Sequence, residues 1–136
     1  MRNKLLSVLA GAGVLLATTL PLTAHHSFAA EFDPEKKITL EGKVVMLEMV
    51  NPHSWVHFDV TKPDGKVEHW KAEGGSPSVL LRLGWTRDTL PVGTKIKITG
   101  NAAKDGALRM NTSSIEFADG KKLSMGGSNP DAEQPK

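Results

Sequence analysis

Past the first two dozen residues, apolar side chains recur at every second position in several short runs. From Ile38 to Val50 they fall at 38, 40, 44 and 46, the period of a half-buried strand with those residues on the inner face. Gly42, midway along, is placed for a bulge or a sharp coil. Asn51-Pro52 interrupts this run, and a second strand spans Trp55 to Thr61. There Val56, Phe58 and Val60 face the core, leaving Trp55, His57 and Asp59 on the other face. Lys62-Pro63-Asp64-Gly65 is a hairpin turn, with Gly where a positive φ is needed. A third strand follows from Lys66 to Ala72.

Ser76 as N-cap and Pro77 in the first turn open a short helix to Leu83, which Gly84 closes. Strand four runs from Lys95 to Thr99 with Ile96 and Ile98 inward, and strand five from Ala107 to Phe117 after the Lys104-Asp105-Gly106 turn. Lys121 to Met125 adds a short edge. From Gly126 the chain is Gly, Ser, Asn, Pro and charge, so residues 126–136 are expected to be disordered. Three meander strands, a helix, then two strands is the element order of a small five-stranded OB-like Greek-key barrel, an all-β fold with its helix between strands 3 and 4. An open β-sandwich with an incidental helix is the alternative.

The N-terminus changes what composition means. Arg2 and Lys4 precede a mostly apolar or small run from Leu5 to Leu20, and Pro21 then leads to Thr23-Ala24. That is the pattern of an export signal, with cleavage expected after Ala24 and with Ala29 or Ala30 as alternative sites. The run is shorter than the ~20 residues a membrane span prefers, although a retained anchor is the competing reading. The expected organisation is signal peptide 1–24, an N-terminal segment 25–37, a domain at 38–125 and the tail. The expected location is the periplasm, or outside the cell, with no membrane span after cleavage. The 17 Lys and Arg, less Arg2 and Lys4, then equal the 15 Asp and Glu. A neutral mature chain argues against a nucleic-acid partner. With no cysteine, disulfides, thiolate metal sites and cysteine nucleophiles are excluded.

Cleavage after Ala24 would free the amine of His25, which can chelate one metal ion together with its own imidazole. A further imidazole, from His26, His53 or His57, completes a nitrogen set suited to copper(II). This pattern resembles the histidine-brace copper sites of lytic polysaccharide monooxygenases and periplasmic copper carriers, a likeness carried by His25 alone. On an extended strand His53 and His57 stand ~13 Å apart at ~3.3 Å per residue, too far to share one ion unaided. His53 also reads as a turn histidine bonded to backbone. Met46, Met49, Met110 and Met125 are soft donors for copper(I), with Met46 inward by parity.

Trp55, Trp70 and Trp85 are the only tryptophans, and there is no tyrosine. OB-folds bind ligands on the face of strands two and three. Trp55, His57, His69, Trp70, Trp85 and Arg82 are therefore the candidate residues for a small ligand or a partner protein, against closure of the core as the plainer role. Arg82, Arg87 and Arg109 are mixed with Glu73, Asp88 and Asp105 and could receive an anionic ligand, although scattered surface ion pairs are the commoner pattern. No nucleophile triad, glycine-rich phosphate loop or paired-carboxylate arrangement is present. A non-enzymatic binding protein is the expectation, with no cofactor fixed beyond copper as the metal the donor set favours.

Ala24-His25-His26-Ser27-Phe28-Ala29-Ala30-Glu31-Phe32-Asp33 and Asn51-Pro52-His53-Ser54-Trp55 resemble a family of small exported bacterial proteins of unknown function. The likeness extends over Trp70 to Glu73, Gly75-Ser76-Pro77-Ser78 to Gly84-Trp85, and Gly100-Asn101 to Asp105-Gly106. It implies a signal peptide and a compact β-rich domain, and lends no catalytic residues. A weaker similarity is to periplasmic copper chaperones on small OB-like barrels, which share residue types with this chain but no alignable motif.

Overall fold

The computed structural model describes residues 28–129. After a helical turn over residues 28–31 come β1 (Phe32–Glu48), β2 (Trp55–Thr61), β3 (Val67–Glu73), α1 (Pro77–Arg82), β4 (Lys95–Ala103), β5 (Arg109–Phe117) and β6 (Lys122–Ser124). The sheet order is β3-β2-β1-β4-β5-β6, and a parallel pairing of Lys71, Ala72 and Glu73 with Arg109, Met110 and Asn111 joins β3 to β5. Five strands thus close a ring in the order of the OB-like arrangement, with α1 between β3 and β4. The fold is all-β.

Alternation decides the interior of β2: Val56, Phe58 and Val60 are buried while Trp55, His57 and Asp59 are half-exposed. Trp85, Leu80, Ile98, Met110, Ile115 and Met125 fill the same core. α1 contributes Leu80, and Ser76 caps it by accepting from the Val79 N–H at 3.4 Å. Gly84 follows at φ 87°, which a side chain would disfavour.

Two boundaries differ from expectation. β1 begins at Phe32, so part of the 25–37 segment is strand, paired to β4 at Phe32 opposite Ala103 and again from Lys37 opposite Asn101. Alternation missed it because the apolar period begins only at Ile38. Residues 126–129 are also packed. A Cβ on Gly127 would lie 2.5 Å from the Thr112 carbonyl oxygen, and Ser128 and Asn129 bond to Asn111 and Asn101. Residues 130–136 lie outside the described residues.

β1 also serves both sides of the ring. Its start lies beside the last residue of β4, Lys43 beside the first residue Lys95, and Glu48 beside the first residue of β2, Trp55. Gly42 lets this strand press against β2, since a Cβ there would lie 2.5 Å from the Asp59 carbonyl oxygen. The bulge itself comes later, between Val44 and Met46. The extra residue reverses parity, so Met46 stands opposite His57 and is 45% exposed rather than inward.

Candidate functional site

One row of residues crosses the ring at the end where β2 and β5 begin and β3 and β4 finish. Trp55 pairs with Glu73, Glu73 with Asn111, and Asn111 with Asn101. By alternation these side chains point away from the core, yet Glu73 is only 7% exposed and Asn101 and Asn111 are buried. Both described ends of the chain pack around this row.

From the N-terminal side, Phe28 and Phe32 are buried with Ala103, their rings stacked 5.8 Å apart. The Arg109 guanidinium lies 5.9 Å from the Phe32 ring centroid and donates to Glu31 at 3.2 Å and Asp105 at 3.3 Å. Lys104 holds the same arm twice, its backbone N–H donating to the Glu31 carbonyl at 2.9 Å and its Nζ to the Ala29 carbonyl at 2.6 Å. Asn101 donates to the Asp33 and Pro34 carbonyls, at 3.0 Å each. From the C-terminal side the Gly75 N–H donates to the Met125 carbonyl at 2.7 Å.

His53 reaches the row from the segment before β2, after a cis Asn51–Pro52 bond. Ser54 pins that segment: its N–H donates to the Gly75 carbonyl and its carbonyl accepts from the Gly74 N–H, both at 2.9 Å. His53 Nδ1 then lies 2.8 Å from Glu73 Oε1, an ion-pair contact rather than an aligned hydrogen bond. Asn111 Nδ2 donates to the same oxygen at 3.3 Å and to Ser128 Oγ at 2.8 Å. Burial raises the Glu73 pKa above its ordinary range; the charge of His53 works against the shift and that of Glu31 adds to it. The Ser54 and Thr112 hydroxyls are also buried, without partners.

The sequence-derived candidates separate. His25 and His26 lie outside the described residues. His53 turns to Glu73 on β3, whereas His57 Nε2 sits 3.0 Å from Glu48 Oε2 on β1. The two histidines therefore face different carboxylates and do not converge. His69, on the outer face, contacts Asp59 at 2.5 Å. Trp70 stands opposite Phe58 and packs on the core, its Nε1 donating to Glu68 at 2.9 Å. Trp85 is 1% exposed and donates to the Ser124 carbonyl, so it is a core residue and not a ligand platform. Arg82 is exposed on the last turn of α1. The tryptophan–histidine face of β2 and β3 thus reduces to Trp55, His57 and His69. Met110 and Met125 are fully buried, and Met49 is partly buried against the core.

Among the described residues no group of three His, Asp or Glu side chains is placed to hold a metal ion, and no helix is long and apolar enough to cross a membrane. Sequence reasoning missed Glu73 as a buried group. Its position beyond Lys71 on the outer face of a strand end gives no signal, because the cover comes from residues distant in sequence.

A search of curated proteins finds no match. The model of a family of unknown function, DUF6152, matches residues 12–112. The chain belongs to that family.

Proposed function

We propose that this is an exported, non-enzymatic binding protein whose mature N-terminus at His25 takes up a divalent metal ion beside the His53–Glu73 pair. The observation that carries this reading is the anchoring of the arm. Phe28, three residues after His25, and Phe32 are buried at the end of the ring that holds His53 and Glu73. Three residues of chain reach at most ~10 Å, which tethers the His25 amine and imidazole close to that anchor. Glu31, on the same arm, is near enough to Glu73 for its charge to be felt there. Two nitrogens of His25 with the His53 imidazole favour copper(II) on donor chemistry, and His26 offers a further nitrogen. His57 is the weaker partner, being turned to Glu48.

The test has two steps. Intact mass of the exported protein reports whether His25 is its first residue, and a start at Ala30 or Glu31 removes the site. Copper(II) titration then compares the protein with His25→Ala and with a form carrying one extra residue before His25. Both changes are expected to weaken binding strongly, because each destroys the amine–imidazole chelate. Equal affinity in all three sinks the proposal.

A further inference from the structure

At the other end of the ring, where β2 and β5 finish and β4 begins, a groove of about 420 Å³ opens beside the middle of β1. Its volume falls within the range of about 300–1,000 Å³ usual for small-molecule sites. Gly42, Ile96, Phe117 and Ala118 contribute apolar and backbone surface, and charged side chains stand around them.

Charge accounting singles out two of these. Of the lining carboxylates, Glu41 faces Lys97 at 3.7 Å, Glu116 faces Lys122 at 3.2 Å, and Asp59 is hydrogen-bonded to His69 at 2.5 Å. Lys43 and Lys95 remain, and among the described residues neither has a carboxylate within ion-pair distance. They stand directly opposite one another in the β1–β4 register. Like charges in that position destabilise a strand pair, and an anion bridging the two ammonium groups would reverse the penalty.

We infer that this groove binds a small organic anion, with its apolar body against Phe117 and Ala118 and its acid group between Lys43 and Lys95. Cations of the same shape are disfavoured by the two free lysines. The site shares no residue with the proposed metal site, so either can fail alone.

The probe is 2-naphthoate, titrated into the full mature chain at low salt, with amide chemical shifts followed by NMR and 2-naphthylmethylamine as the cationic counterpart. Saturable shifts at Gly42, Ile96 and Phe117 are expected for the acid and not for the amine. Replacing Lys43 and Lys95 together by Gln should weaken the acid by at least about tenfold, the scale of lost charge-assisted contacts. Lys36→Gln should leave it unchanged. Ala118→Trp, which fills the groove from an exposed turn, should abolish the shifts while the remaining spectrum stays native. Equal binding of acid and amine, shifts centred elsewhere, no saturable binding, or an unaffected double Lys variant would each overturn the inference.

Discussion

The two ends of the ring set outward-facing polar residues to opposite effect. At the arm end, Glu73, Asn111 and Asn101 would be surface residues by alternation, but residues 28–34 and 125–129 bury them. At the groove end, Lys43, Lys95 and Glu41 follow the same alternation and stay in water. One end has been converted into a second, polar interior by residues 28–34 and 125–129; the other has been left open. Interactions at the closed end should therefore be strong, cooperative and pH-sensitive, while those at the open end should be weak and screened by salt.

The largest expected effect tests the closure itself. Phe32 is 1% exposed in the small cluster with Phe28 and Ala103, so Phe32→Ala should cost about 3–5 kcal/mol in urea unfolding. Phe117 at the groove end is only partly buried, and Phe117→Ala should cost about 2 kcal/mol or less. Equal losses would mean that the arm is an ornament and the two ends are energetically alike. A step below comes Asn111→Ala. It removes the donor to Glu73 and the link to Ser128, and should cost about 1–3 kcal/mol by leaving a buried carboxylate less satisfied.

Acidity separates the ends more cleanly than mutation. Burial raises the Glu73 pKa above its ordinary value of 4.5, so the folded protein holds this proton more tightly than the unfolded chain. Its contribution to stability is complete below about pH 4.5 and is lost as pH rises through the raised folded value. Thermal unfolding across that range should show the wild type losing stability relative to Glu73→Gln as pH rises. Parallel curves for the two proteins would place Glu73 in water and undo the picture of a sealed end.

The ring was legible because its signals are local. Val56, Phe58 and Val60 declare a face within one strand, and Ser76-Pro77 with Gly84 brackets a helix within nine residues. What stayed hidden depends on contacts between distant segments. The bulge that turns Met46 outward leaves no trace in its own alternation. Trp70 and Trp85 were offered as ligand platforms because an aromatic residue on a strand or loop looks the same from sequence whether it is covered or not. Glu73 carries no mark of burial, since Asn111 bonds to it from 38 residues away and Glu31 acts on it from 42 residues away. The groove was equally invisible: Lys43 and Lys95 become neighbours only through the β1–β4 register.

The smallest expected effect is also the most direct comparison of one interaction in two settings. His53–Glu73 and His69–Asp59 are both histidine–carboxylate contacts, the first from the segment before β2 to β3 and the second between β3 and β2, at 2.8 Å and 2.5 Å. Distance alone would rank the second as stronger. Solvent decides otherwise: the His69 side chain is 80% exposed against 33% for that of His53, and the Asp59 side chain 34% against 9% for that of Glu73. Exposed ion pairs contribute about 0–1 kcal/mol and weaken further with salt. His69→Ala should therefore change unfolding free energy by less than about 1 kcal/mol, and a double-mutant cycle with Asp59→Asn should show coupling that fades in concentrated salt. The same cycle on His53 and Glu73 should show larger coupling that persists, because that carboxylate has little water to fall back on. Equal couplings would make proximity, rather than enclosure by residues 28–34 and 125–129, the quantity that sets the strength of each pair.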